Sequence, residues 1–197
     1  MSEEKRYFED KVYSRKGYNF TFKADDELVK EILKHKKSGK VIDLACGEAG
    51  TALALAQKGF EVTCLDISTT AITNVKKEIE KRGLAVVALV VDLERYEFID
   101  DYDIIIGTGF FHFIPKNYYL ILIKNIMKHT KKDGLNIFEV FLEGDPTQEE
   151  DSEGYFFKKN ELKDLYSNWN IMEYEEYEEY NMKEEQINKI AYLIAKK

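Results

Sequence analysis

The run Val41-Ile42-Asp43-Leu44-Ala45-Cys46-Gly47-Glu48-Ala49-Gly50 constrains this chain more than any other stretch. A short apolar segment ends in an acid, passes through small residues and opens on Ala52, Leu53, Leu55 and Ala56, which reads as strand, tight turn and helix. Small side chains let the backbone approach a ligand closely, and a helix starting beyond Gly50 offers free N–H groups suited to a carboxylate or phosphate. Such a unit belongs in a sheet flanked by helices, with its turn at the carboxyl end of the strand.

The rest of the chain supplies that sheet. Asp25-Asp26-Glu27 opens an amphipathic helix (Leu28, Val29, Ile32, Leu33) expected to end near Ser38-Gly39, and the first strand runs from Lys40 to Ala45. Phe60 to Leu65 is a second strand, and Ser68 is a good N-cap for a helix reaching Arg82-Gly83. The apolar run Leu84 to Val91 and the segment Tyr102 to Ile106 are the next strands. Pro115 suits the first turn of a helix to about Thr130, Leu135 to Leu142 is a fifth strand, and Asn160 is placed to cap a helix to Tyr166. Trp169 to Tyr180 and Ile187 to Ala195 can pair as a closing antiparallel hairpin. The pattern predicts an α/β fold, a seven-stranded Rossmann-like doubly wound sheet that is mostly parallel with an antiparallel hairpin at one end. With 197 residues and no Pro- or Ser-rich linker, a single domain over 1–197 is expected, residues 1–24 forming an aromatic arm.

Charge and composition exclude several classes. Lys and Arg number 29 against 37 Asp and Glu, and Glu143 to Glu185 alone holds fifteen acids and four bases. A basic nucleic-acid footprint is therefore missing, and no nucleic-acid partner is expected. No apolar run approaches the roughly 20 residues of a membrane span, and Met1 to Asp10 is charged, so a cytoplasmic protein without a membrane partner is expected. Cys46, Cys64 and the three scattered histidines have no metal-site spacing, so no metal is expected.

Two further acids sharpen the reading. Asp66 ends the second strand 19 positions after Gly47, where a carboxylate can accept hydrogen bonds from both hydroxyls of an adenosyl ribose. Asp92 ends the third strand, where it can accept from an adenine amino group while Leu93 packs on the ring. Each acid also has a plainer reading: Asp43 and Asp92 as turn residues, Asp66 as an acid favoured at a helix start. His112, just past the fourth strand in Gly107-Thr108-Gly109-Phe110-Phe111-His112-Phe113, is placed either as a base near an acceptor or as a packing residue.

Over Val41 to Pro115 the chain resembles the class I S-adenosylmethionine (SAM)-dependent methyltransferases, whose first motif is Asp-x-Gly-x-Gly-x-Gly and whose acids follow in this order. Ala45 and Ala49 replace the first and third glycines. More narrowly, it resembles the tellurite-resistance type of small methyltransferase through Tyr7-Phe8-Glu9-Asp10-Lys11, Val90-Val91-Asp92-Leu93, Tyr102-Asp103-Ile104-Ile105 and Phe156-Phe157-Lys158-Lys159-Asn160-Glu161-Leu162. That likeness continues through Tyr166, Trp169 and Tyr174 to the last strand.

The resemblance implies methyl transfer from SAM to a small-molecule acceptor. It implies that Asp43, Ala45, Cys46, Gly47, Asp66, Ile67, Asp92, Leu93, Gly107 and Thr108 bind the cofactor, with His112 as the candidate catalytic base. Tyr7, Phe8, Tyr13 and Tyr18 of the arm then cover the site, where an aromatic face attracts a sulfonium, or they simply pack. The acidic loop Glu143 to Gly154 is expected to reach over the crevice as a lid. Family members carry arginines suited to an oxyanion near the last strands, whereas no arginine follows Arg95 here. Alternatives are a SAM-binding module without catalysis and a NAD-dependent oxidoreductase, although the first strand does not run into a Gly-x-Gly-x-x-Gly. The acceptor and the oligomeric state are not legible.

Overall fold

The computed structural model describes Tyr13, Ser14 and residues 27–148, 153–181 and 185–197. In chain order these form α1 (Glu27–His35), β1 (Lys40–Leu44), α2 (Gly50–Gln57), β2 (Glu61–Asp66), α3 (Thr69–Arg82), β3 (Val86–Val90), β4 (Tyr102–Thr108), α4 (Tyr119–Lys128), β5 (Thr130–Phe141), α5 (Glu161–Leu165), β6 (Asn170–Asn181) and β7 (Gln186–Lys196). The strands make one seven-stranded sheet in the order β3-β2-β1-β4-β5-β7-β6. The expected doubly wound order is present, parallel strands followed by an antiparallel β6–β7 pair. The chain divides into two compact units, Met1–Glu97 and Phe98–Lys197.

In the first unit, β1 pairs with β2 so that Asp43 lies opposite Cys64, and β2 pairs with β3 so that Asp66 lies opposite Val90. Val41, Ile42, Leu44 and Leu65 are buried, as are Ala52, Leu53, Ala54 and Leu55 of α2. Helix α3 turns Ala71, Ile72 and Val75 inward, and Ser68 caps it as expected, its hydroxyl accepting from the Ala71 N–H at 3.1 Å. Gly83, at φ 63°, stops it. Strand β3 is an edge, and Val87, Leu89 and Val90 stay about half exposed.

In the second unit the core is aromatic. Phe111, Phe138, Phe157 and Tyr166 are buried, with Phe111 edge-on to Phe138 at 5.9 Å and to Phe157 at 5.2 Å. Three polar groups are buried with them. The Thr130 hydroxyl lies 2.8 Å from Asn136 Oδ1 and 2.7 Å from the Ile126 carbonyl, and Asn136 Nδ2 donates to the Tyr166 hydroxyl at 2.9 Å. The network ties the end of α4 to β5 and to the turn after α5.

Three boundaries differ from the sequence reading. The helix expected from Pro115 begins at Tyr119, because the Pro115 carbonyl accepts from Tyr118 and Tyr119 in a turn while Pro115 bridges to Gly154. Strand β5 starts at Thr130 rather than Leu135, irregularly, with Asp133 at φ 62°. Asn160 does not cap α5 with its side chain: it sits at φ 64° with its N–H donating to the Glu176 carboxylate. Asparagine tolerates that left-handed backbone, and Glu161, the first residue of the helix, reaches back to accept from the Lys158 N–H.

Tyr166→Phe leaves the Asn136 amide without its acceptor in a site closed to water, so a loss of about 1–3 kcal/mol is expected, read as a lowered midpoint in denaturant at unchanged slope.

Candidate active site

The loop after β1 takes its shape from three left-handed residues in alternation, Ala45 at φ 52°, Gly47 at φ 51° and Ala49 at φ 54°. These are the three glycine positions of the motif, which therefore asks for backbone conformation as well as small size. Alanine holds αL at a cost, and its persistence at two of the three positions means the surroundings impose the turn. The Cys46 N–H donates to the Leu65 carbonyl at 2.8 Å and the Ala49 N–H to the Cys46 carbonyl at 2.7 Å.

Asp66 fastens this loop to the next strand. Its Oδ2 accepts from the Gly47 N–H and its Oδ1 from the Ser68 N–H, both at 2.8 Å. Burial raises its pKa, while the N–H groups of Ser68, Gly47 and Ile67 oppose that rise. A carboxylate has about four acceptor directions, more than these N–H groups fill, so acceptor capacity remains for a ligand. Asp43 is the opposite case: it is buried, and no described group donates a hydrogen bond to it. Burial first, and then the charge of Asp66, push its pKa up to about 8. A Cβ at Gly47 would lie 2.7 Å from the Tyr13 hydroxyl, so a side chain there would displace that ring as well as strain the φ 51° backbone. That puts one aromatic residue of the arm against the loop; Tyr7, Phe8 and Tyr18 lie outside the described residues.

Asp92 lies two residues beyond β3 in a turn, its Oδ1 accepting from the Glu94 N–H at 3.2 Å and its carbonyl from the Arg95 N–H at 3.0 Å. Leu93 beside it is buried, while Ile67 and Cys46 are half-buried. Hydrogen bonding to Cys64, with burial, holds the Cys46 thiol well above its usual range, so it is a protonated packing group rather than a nucleophile.

In the second unit, Gly107 and Thr108 end β4. Gly107 is required by packing, since a Cβ would meet the Phe110 ring at 2.5 Å, and Thr108 is exposed. His112 sits in a one-turn 3₁₀ segment, its ring 3.7 Å from that of Phe113 and 4.8 Å from that of Phe141. Its Nδ1 is buried without a hydrogen-bond partner. Burial lowers its pKa to about 4 against the opposing charge of Asp145, so the ring is neutral at pH 7.

The model of the family described as "Tellurite resistance protein TehB" matches residues 6–196. The chain belongs to that family. A probable SAM-dependent methyltransferase TehB of Haemophilus influenzae is 29% identical over 170 residues, which cover 86% of this chain and 59% of that protein. The crystal structure of TehB from Haemophilus influenzae superposes with a TM-score of 0.80 at 26% identity, covering 98% of this chain and 66% of that one. Magnesium protoporphyrin IX methyltransferase from Synechocystis, solved with bound SAM, shares the fold alone, at a TM-score of 0.68 and 14% identity over 98% of this chain and 95% of that one. The fold is that of the class I methyltransferases. The chain spans about three fifths of the length of the TehB relative.

One buried residue escaped the sequence reading. Asp145, in the acidic loop expected to reach over the crevice as a lid, is buried and accepts from Asn188 Nδ2 at 3.2 Å, the Lys189 N–H at 2.6 Å and the Thr147 N–H at 2.8 Å. The signal was available in Asp145-Pro146-Thr147, an Asp-initiated turn. Residues 149–152 of that loop lie outside the described residues.

Two outcomes are expected here. Ala49→Gly relieves the left-handed strain against a larger unfolded-state entropy and should leave thermal stability unchanged or raise it by up to about 1 kcal/mol. The folded state keeps the Asp43 proton to about pH 8, whereas an unperturbed aspartate loses it near pH 3.8. Its contribution to stability is therefore full below pH 4 and lost as pH rises towards 8, by up to about 1.4 kcal/mol per unit. Asp43→Asn should flatten that slope in denaturant titrations from pH 5 to 8.

Proposed function

We propose that the chain is a SAM-dependent methyltransferase acting on a small-molecule acceptor, built as one functional domain over 1–197 and working in the cytoplasm. Asp43 carries the reading. A buried carboxyl with no hydrogen-bond donor, at the end of β1 beside a loop of small left-handed residues, suits a cationic amino group, and SAM brings one on its methionyl end. The donor set fits the rest of the molecule: Asp66 has acceptor capacity for ribose hydroxyls, Asp92 is accessible at a turn, and Leu93 offers an apolar surface for adenine. Ala45, Cys46, Gly47 and Ile67 frame the backbone approach.

When bound, SAM supplies an electrophilic methyl on a good leaving group, so the work left to the protein is positioning and exclusion of water. Asp66 holds the loop and the start of α3 in fixed relation, and Tyr13 stands over Gly47. His112 is neutral at physiological pH, the state an imidazole base requires, but burial to a pKa of about 4 makes it a weak base. Tellurite and selenite are poor candidates, because no guanidinium follows Arg95 and the segment from Glu143 to Glu185 is strongly acidic.

The test is calorimetric titration with SAM, followed by methyl transfer from labelled SAM to amines, thiols and selenite. Asp92→Ala should weaken SAM about tenfold or more with little change in melting temperature, the loss of a charge-assisted hydrogen bond at an exposed turn. Gly47→Val should abolish binding, since a β-branched residue at φ 51° collides with Tyr13. Normal SAM affinity in both variants would place the cofactor elsewhere, and tight binding with no turnover on any acceptor class would favour a regulatory module.

A further inference from the structure

The first unit ends in an unblunted strand. β3 closes the sheet order, and among the described residues no strand pairs with its outer side. The Val91 N–H donates to the Asp66 carbonyl at 2.7 Å, so by alternation Val87 and Leu89 turn their backbone groups to β2. Val86, Ala88 and Val90 turn theirs outward. The two faces of the strand differ as well: α3 packs on β3 and Ala88 is buried, whereas Val87 and Leu89, on the opposite face, are 53% and 44% exposed. The chain leaving β3 passes through the Asp92 turn to β4 with no α-helix in between, so no crossover helix covers that face.

Edge strands are ordinarily protected by lysine, proline, a bulge or an inward charge, because their open N–H and C=O groups template pairing with another chain. Leu84 to Val91 carries neither charge nor proline, and β3 pairs with β2 in unbroken register. The charges lie just beyond the strand and have opposite signs at its two ends. Lys76 to Arg82 holds four cations and two acids, and Asp92 to Glu97 holds three acids and one cation. An antiparallel neighbour of the same sequence sets each basic end against the other copy's acidic end, whereas a parallel one sets like against like.

We propose that β3 is the contact between two copies of this chain, paired antiparallel about a two-fold axis at Ala88. Val86 then lies opposite Val90 of the second copy and the two Ala88 residues face each other. All are outward residues that exchange both backbone bonds, about six in total. Val87 and Leu89 lie beside Leu89 and Val87 of the second copy, joining into one apolar patch on the uncovered face. The contact is isologous, so it closes as a dimer and leaves no second edge of this kind to propagate. A strand of five residues buries less than a standard interface, so the dimer is weak and depends on concentration.

The test is analytical ultracentrifugation of the 197-residue chain from about 1 to about 300 μM, the range of weak interfaces. The weight-average mass should climb with concentration from the 23.1 kDa of one chain towards twice that. Val87→Lys places a charge in the apolar patch, and Val90→Pro removes an outward N–H that β2 does not use. Each should weaken association at least about tenfold with the melting temperature little changed. Charge reversal tests the orientation. Lys81→Glu and Glu94→Lys, both at exposed positions, should each weaken the dimer, and an equimolar mixture of the two should restore it, because acid then meets base at both ends. A chain that stays monomeric throughout overturns the proposal, as does a dimer indifferent to both Val87→Lys and Val90→Pro, whose contact is then elsewhere. A mixture no more associated than its components overturns the antiparallel pairing.

Discussion

The first unit depends on the carboxylate of Asp66. Its two oxygens accept from Gly47 and Ser68, so one side chain at the tip of β2 fixes both the loop leaving β1 and the cap of α3. Each bond to a charged acceptor is worth about 1.5–3 kcal/mol, enough to offset the left-handed backbone imposed on Ala45 and Ala49. The loop can then remain short, small and rigid, as a surface that meets a ligand with its backbone must be. The same carboxylate keeps acceptor capacity toward solvent, so structural and binding roles are carried by different lone pairs of one group.

A second consequence concerns Asp43. With Asp66 held in place nearby, two acids share a poorly hydrated region and only the anchored one has donors, so the charge of Asp43 is disfavoured until a cation arrives. That is stored strain of the kind found where a protein expects a ligand.

The alternation of strand and helix, the closing hairpin, Ser68 as a cap and Gly83 as a stop were all legible because each rests on local periodicity or on one residue's backbone preference. The boundaries that shifted were those decided by distant partners. Pro115 is drawn into a bridge with Gly154, and Asn160 is turned away from capping by Glu176, sixteen residues on. Tyr174, Tyr177 and Tyr180 alternate faces on β6, because a period of three on a strand puts successive members on opposite sides.

What the sequence determined by itself was the architecture and the identity of the acids at the strand tips, since strand, turn and helix signals are short-range and the motif spacing is covalent. Only the tertiary structure decided the state of each acid. Asp66 is bonded by the N–H groups of Gly47 and Ser68, Asp43 is buried with no donor among the described residues, Asp92 lies in a turn and Asp145 is locked inside a loop that reads as a lid. Charge and hydrogen bonding depend on burial and on partners brought together across strands, such as Asn188 and Lys189 for Asp145, 43 and 44 residues away. Which carboxylate is free to meet a ligand is a property of packing, and no spacing along the chain encodes it.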